Sequence, residues 1–196
     1  MKVECVYWDF GGRAQPIRDA AKLAKDKVEF IDTRLSREEW AAKKASVPCQ
    51  ALPYGYVHDG DKKTLVAQSN ALLVLVGRLG GLYPTDVTQA AVCDSVLGIV
   101  EDLIGALAPS IREPDEAKKI ELRKGLVAGK LPMYVKALTD FLGDRDFFCG
   151  ELSVADLKVN SVVDFLTSGH LDGIPKDIAG AKLEALHARV KAKLAE

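Results

Sequence analysis

Apolar and polar positions change their spacing repeatedly along this chain, and each change marks a new element. MKVECVYW (Met1 to Trp8) alternates weakly and is rich in valine and aromatic residues, which predicts a strand. Gly11-Gly12 breaks it. Ile17, Ala20, Ala21 and Ala24 then recur at helical spacing, with Pro16 tolerated in the first turn, where its missing N–H has no partner to lose. KVEFIDTRL returns to a period of two through Val28 and Phe30, with Ile31 beside them, and predicts a second strand. A strand, a helix and a strand within about 35 residues predict a βαβ unit, whose strands run parallel.

SREEWAAKKASVP reads as a short helix or irregular loop, and Ser36 with Glu39 matches a capping box. LPYGYVHDGDKKTLVAQS reads as a hairpin turning at His58-Asp59-Gly60-Asp61. Ser69 opens a helix with Leu72, Leu73, Leu75 and Val76 as its apolar positions. The order β-α-β-α-β-β-α predicts a small mixed sheet with helices on both faces. GRLGGLYPTD (Gly77 to Asp86) has the glycines and the proline of a linker. Everything beyond it reads as helix. One stripe is Val92, Val96, Ile99, Leu103 and Leu107; a second is Leu131, Val135, Leu138 and Leu142, after Pro132. A third runs through Ala155, Val159, Val162, Val163 and Leu166, and the last through Leu183, Leu186, Val190 and Leu194. No internal repeat or low-complexity tract interrupts them. The expected organisation is an α/β domain over residues 1–78, a linker over 79–87 and an all-helical domain over 88–196.

Composition narrows the partners. The 196 residues carry 27 Lys+Arg against 28 Asp+Glu, a net charge of -1, which points to neither a nucleic-acid nor an acidic-membrane partner. Stretches such as ALLVLVG are too short to span a bilayer, and the N-terminus lacks the pattern of a signal peptide. The cysteines Cys5, Cys49, Cys93 and Cys149 are scattered without CxxC or CxxH pairing, so neither a disulfide framework nor a zinc site is expected, and a reducing, cytoplasmic setting is.

Four segments bear chemistry. Tyr7 ends the first strand beside Gly11, Gly12 and Arg13. A phenol stays protonated at neutral pH and donates a hydrogen bond, and a phenol aimed at a thiol with a cation nearby favours the ionised sulfur. Taken alone, Tyr7 also reads as a strand-end tyrosine half-buried in the core. Phe10-Gly11-Gly12 fits neither glycine-rich phosphate pattern. CQALP (Cys49 to Pro53) opens a strand; a cis Leu52–Pro53 bond would present the Leu52 backbone to a peptide-like ligand, and an ordinary strand-starting proline fits the same residues. In AQSNALL, Gln68 and Ser69 place an amide, a hydroxyl and free N–H groups at a helix N-terminus, suited to a carboxylate, while capping by Ser69 alone accounts for the serine.

The order Tyr…GRA…P-x-R, then EW…K, LP and QSNALL…R…LYP resembles the cytosolic glutathione transferases, nearest the sigma class, which includes prostaglandin-synthesising enzymes and cephalopod lens crystallins. FFCGELSVADL (Phe147 to Leu157) continues it, Ser153-x-x-Asp156 resembling the family's capping box in the second domain. The resemblance implies a thioredoxin-like N-terminal domain holding glutathione, an all-α C-terminal bundle, and a cytoplasmic, detoxifying homodimer that joins the glutathione thiolate to hydrophobic electrophiles. It places Tyr7 on the catalytic tyrosine and Arg13 on its supporting arginine. Trp40 and Lys44 fall on the pair that holds the glycine carboxylate of glutathione, and Leu52 on the residue whose backbone pairs with the cysteinyl part. Pro53 falls on the cis proline, and Gln68 and Ser69 on the γ-glutamyl pair. Asp102 falls on an acidic position reaching the γ-glutamyl amine across the dimer. Asp94, Gly98, Glu101 and Asp102 share one helix face, either an interface or a solvated side. The electrophile is expected between Trp8, Phe10 and Gly11 and the helix carrying Ile104.

Departures from the family pattern refine this. Cys49-Gln50-Ala51 replaces the usual aromatic and glycine before LP, so Cys49 is either a site for a mixed disulfide or a space-filling thiol. Gly98 stands where some sigma members carry an acidic metal ligand, so no metal is expected. Gly11 stands where cysteine-type classes carry their nucleophile, against a thiol-transferase mechanism. Relatives extend a tail over the electrophile pocket beyond the position of Glu196, so an open pocket is expected. A glutathione-dependent isomerase, prostaglandin-synthase-like, and a non-catalytic binding or structural protein are the alternatives.

Overall fold

β1 (Lys2–Trp8) lies at the heart of a four-stranded sheet in the order β2-β1-β3-β4. It pairs in parallel with β2 (Glu29–Leu35) and antiparallel with β3 (Tyr54–Asp59), which forms a hairpin with β4 (Lys62–Ala67). This computed structural model describes residues 1–196, which divide into two compact units, Met1–Pro84 and Thr85–Glu196.

In the first unit, α1 (Gln15–Leu23) packs against α3 (Ser69–Gly80), while α2 (Arg37–Lys43) packs beside β2. The alternation of β1 divides its side chains between the two faces: Val3, Cys5 and Tyr7 point one way, and Val6 points the other into a cluster with Leu35, Val47 and Tyr54, flanked by Trp40 and Leu52. Gly55 pairs with Cys5 on the α3 side, where a Cβ would meet Leu72 at 2.9 Å and the Glu4 carbonyl oxygen at 2.0 Å, so no side chain fits there. The capping box of α2 forms as its sequence predicts: the Glu39 N–H donates to Ser36 Oγ (3.2 Å) and the Ser36 N–H to Glu39 Oε2 (2.8 Å). The helix α3 runs through Gly80, past residue 78, and the Leu82 N–H then closes on the Gly77 carbonyl (2.7 Å). The first unit is thus the small mixed sheet with helices on both faces that the pattern predicted.

The second unit is all-helical: α4 (Val87–Arg112), α5 (Glu116–Ala128), α6 (Lys130–Leu142), α7 (Val154–Thr167) and α8 (Gly180–Ala195). The helix α4 packs against α5, α6 and α7, and α8 packs on α6 and α7. Two expectations are corrected. The buried face of α4 is Cys93, Val96, Leu97, Val100, Leu103 and Leu107, with Val92 and Ile99 only half-buried, because neighbours on several sides bury a wider face than one stripe. The chain is not helical throughout: residues 143–153 and 168–179 are largely irregular, the latter anchored by buried Leu171 and Ile174. The helix α5 has no apolar stripe; its one buried residue is Arg123, whose Nη1 donates to the Asp172 carbonyl (3.2 Å).

The capping box of α7 is completed inside the unit. Asp156, fully buried, accepts from the N–H of Phe148 (2.9 Å), the N–H of Ser153 (2.8 Å) and the Ser153 hydroxyl (2.7 Å). Burial pushes its carboxyl pKa up, and these donors oppose the rise.

Candidate functional site

Tyr7 is the penultimate residue of β1, so its hydroxyl lies where the sheet gives way to the segment before α1. The side chain is only 6% exposed. Its oxygen accepts a hydrogen bond from the Arg13 backbone N–H (3.2 Å), which leaves the phenolic proton free to donate elsewhere. Burial pushes the Tyr7 pKa up; the Arg13 hydrogen bond and the charges of Arg13 and Arg18 only partly offset it, so the group is a phenol at neutral pH. Its ring meets Phe10 edge-on at 5.6 Å.

Gly12 makes this geometry possible. Its φ is +46°, and a Cβ there would lie 2.7 Å from the Tyr7 hydroxyl and 2.9 Å from the Phe10 ring. The glycine is exposed, so the backbone beside the hydroxyl is open.

Arg18 holds the same segment from behind. Its Nε–H is shared between the two carboxylate oxygens of Asp32 on β2 (3.0 and 3.1 Å), while Nη1 and Nη2 donate to the carbonyls of Phe10 (2.6 Å) and Trp8 (3.1 Å). At 11% side-chain exposure Arg18 keeps this charge-assisted pair largely away from water. The sequence alone assigns Arg18 no role. The P-x-R spacing after the glycines was visible, but its partner Asp32 sits fourteen residues on, and only the β1–β2 pairing brings it near.

The remaining predicted positions of the first unit fall on three segments. Trp40 is half-buried on α2, edge-on to Trp8 (6.3 Å), and Lys44 is exposed on the 3-10 turn that follows. The Leu52–Pro53 bond is cis, immediately before β3. Gln68 caps the start of α3 at φ +77°, with Ser69 buried as the first helical residue. The non-glycine residues with positive φ in this chain are Cys49, Gln50 and Gln68, all within the CQALP and AQSNALL segments. Each such residue costs about 1 kcal/mol or more, and strain of this kind gathers where a ligand is held. Two cavities open in this unit, and Tyr7, Trp40, Lys44, Gln68 and Ser69 line neither. One, of about 340 Å³, is bordered by Lys43, Val47, Tyr54 and Lys63. The other, of about 680 Å³, is bordered by Phe10, Gly11, Arg18 and Arg34. Phe10 and Gly11 thus share a cavity, and Trp8 is outside it. In the second unit Asp102 is exposed and Ile104 half-buried on α4. No group of three or more His, Cys, Asp or Glu is placed to hold a metal ion.

Sheet order, the cis proline before β3 and the helical second unit define a thioredoxin-like domain followed by a helical domain. Residues 101–195 match the family model "Glutathione S-transferase, C-terminal domain". The chain is 30% identical over 192 residues to glutathione S-transferase P of Pongo abelii, spanning 96% of this chain and 88% of that protein. It is 27% identical over 196 residues to the class-mu 28 kDa glutathione S-transferase isozyme of Schistosoma japonicum, spanning 98% and 92%. Among solved structures, prostaglandin synthase D of Nilaparvata lugens superposes with a TM-score of 0.82 at 26% identity over 98% of this chain and 93% of that one. The sigma class glutathione transferase of Fasciola hepatica superposes at 0.80 over 97% and 90%, and at 21% identity it speaks for the fold alone. The chain belongs to the cytosolic glutathione S-transferase family.

Proposed function

We propose that this protein is a glutathione transferase whose Tyr7 hydroxyl donates a hydrogen bond to the sulfur of bound glutathione and so holds it as a thiolate. The observation that carries this reading is the Tyr7 environment: a buried phenol, protonated at neutral pH, whose oxygen accepts from the Arg13 N–H and lies beside backbone left bare by Gly12. The thiol proton leaves to solvent, and the thiolate attacks an electrophilic carbon, either adding to it or displacing a leaving group. Tyr7 keeps its proton throughout and acts by stabilising charge.

Arg13 supports the hydroxyl. Trp40 and Lys44 hold the glycine carboxylate, the Leu52 backbone before Pro53 pairs with the cysteinyl part, and Gln68 and Ser69 take the γ-glutamyl end at the positive terminus of α3. The positive φ values at Cys49, Gln50 and Gln68 favour these segments as ligand contacts rather than plain turns. Trp8, Phe10 and Gly11 border the electrophile. The same reading includes a homodimer to which Asp102 contributes its carboxylate, sigma-class membership from the motif order, and a cytoplasmic, detoxifying role. Retention on immobilised glutathione together with turnover of an aromatic electrophile tests it; a protein that fails both is no transferase. The likeness to a prostaglandin synthase favours a second reading, a glutathione-dependent isomerase on the same site, which product analysis with an endoperoxide substrate separates from conjugation.

A further inference from the structure

Two of the four free cysteines meet inside the helical unit. Cys93 is fully buried on α4. Cys149 is half-buried in the segment between α6 and α7, in a tight turn where it bridges to Glu151 around Gly150 (φ +83°). The Cys149 thiol lies 3.6 Å from the carbonyl oxygen of Gln89, one helical turn before Cys93, and the two cysteine thiols share a hydrogen bond. The first turn of α7 closes over the pair, the Ala155 N–H reaching the Cys93 sulfur.

We propose that Cys149 and Cys93 form a thiol–disulfide exchange site for small soluble disulfides, Cys149 as the attacking thiol and Cys93 as the resolving one. The inference goes beyond the proposed transferase function: it lies wholly in the second unit and uses none of the residues assigned to glutathione activation. The two thiols are suited to different parts. Cys149 reaches solvent, and the hydrogen bond from Cys93 draws its pKa below the ordinary thiol range against the opposing effect of burial, with Arg145 adding to the lowering. Cys93 is pushed up by the same bond and by burial, so it stays a protonated donor until its neighbour is modified. The other cysteines differ from this pair. Burial pushes Cys5 up to about 12 and makes it inert, and Cys49 is exposed with no cysteine neighbour.

The exchange balances without a further oxidant. The Cys149 thiolate attacks one sulfur of oxidised glutathione, forming a Cys149–glutathione disulfide and releasing one glutathione thiolate. Cys93 then gives up its proton and attacks the Cys149 sulfur, forming the Cys93–Cys149 disulfide and releasing the second glutathione. Two protein thiols are oxidised, and one glutathione disulfide is reduced to two thiols. Excess reduced glutathione reverses both steps.

The test uses the full chain carrying Cys49→Ser, treated with oxidised glutathione. Thiols are counted after denaturation, and the intact mass and the linked peptides are read by mass spectrometry. Loss of two thiols, a mass two hydrogens lighter and a peptide joining Cys93 to Cys149 are expected, with Tm raised by roughly 5–10 °C because the disulfide closes a long loop. Adding Cys93→Val, which keeps the buried volume apolar, stops the reaction with one glutathione retained on Cys149. Adding Cys149→Ser leaves all remaining thiols free. The proposal is overturned if the Cys49→Ser protein keeps its three thiols, if it stops at the mixed disulfide with Cys93 present, or if the linked peptide involves Cys5. In a Tyr7→Phe background the same two thiols are lost, so failure here and failure of the transferase reading are told apart.

Discussion

Replacing Tyr7 by Phe removes one hydroxyl from a buried site and nothing else, and its consequences can be worked from the geometry. In the wild type the oxygen accepts from the Arg13 N–H at 3.2 Å and the proton is free. A hydrogen bond to a charged acceptor contributes about 1.5–3 kcal/mol, and one pKa unit corresponds to about 1.4 kcal/mol. If the hydroxyl donates to the sulfur as proposed, it would account for a lowering of roughly one to two units from an ordinary thiol pKa near ~8.5. A full two-unit shift corresponds to roughly 2.7 kcal/mol of selective stabilisation of the thiolate. On the proposed mechanism the thiol pKa is lowered in the complex, so the reactive thiolate would persist to lower pH, and loss of the hydroxyl would raise that limit. The acid limb of kcat/KM for an aromatic electrophile should move upward by one to two units. Turnover near pH 6.5 should fall by about ten- to a hundred-fold, with glutathione binding retained. Thiolate absorbance of bound glutathione against pH gives an independent reading of the same shift. The Arg13 N–H loses its acceptor at the same time, a loss of about 1 kcal/mol and a few degrees in Tm. If turnover and the acid limb are both unchanged while the fold persists, Tyr7 does not activate the thiol.

Gly12→Ala should reduce turnover while leaving the protein folded, since the added Cβ would lie 2.7 Å from the Tyr7 hydroxyl at a φ of +46°; the strain of about 1–2 kcal/mol is read as a lowered Tm. If Lys44 holds the glycine carboxylate as proposed, Lys44→Ala should raise KM for glutathione several-fold with kcat nearly constant, because a contact remote from sulfur would be made equally in ground and transition states. Glu101→Leu removes the carboxylate that pairs with Lys158 at 2.6 Å, where Lys158 is 2% exposed, and should cost about 1.5–3 kcal/mol by denaturant unfolding; adding Lys158→Met should recover much of it. For Glu4, burial pushes the carboxyl up, but hydrogen bonds from Thr33 and His58 and the charge of Lys63 outweigh it and leave its pKa lowered from 4.5. Its contribution to stability is therefore present above pH 4.5 and lost as pH falls through the lower folded value, so Glu4→Gln should flatten the acid limb of the stability curve.

Much of the fold was legible along the chain because its periods are local. Two-residue alternation marks β1, and helical spacing marks α1, α3 and α6–α8. Ser36 with Glu39 and Ser153 with Asp156 mark helix starts through bonds that span three residues. The polar α5 and the irregular segment 168–179 carry no local periodic signal, since Arg123, Leu171 and Ile174 owe their burial to neighbours distant in sequence.

For the candidate site, sequence alone determined the residue types and their order: a tyrosine at a strand end, a cation and glycines beside it, LP before a strand and QS at a helix start. These are short-range patterns, readable because turn chemistry and helix entry are decided within a few residues. Tertiary structure alone decided the rest. Pairing of β1 with β2 brings Asp32 to Arg18 and ties the backbone that carries Phe10. The surrounding backbone path sets Cys49, Gln50 and Gln68 at positive φ against their intrinsic preference, and burial sets Tyr7 as a phenol. The turn before α7 brings Cys149 against Cys93 across fifty-six residues. Each depends on groups far apart along the chain meeting where water is excluded, and no local pattern encodes such a meeting.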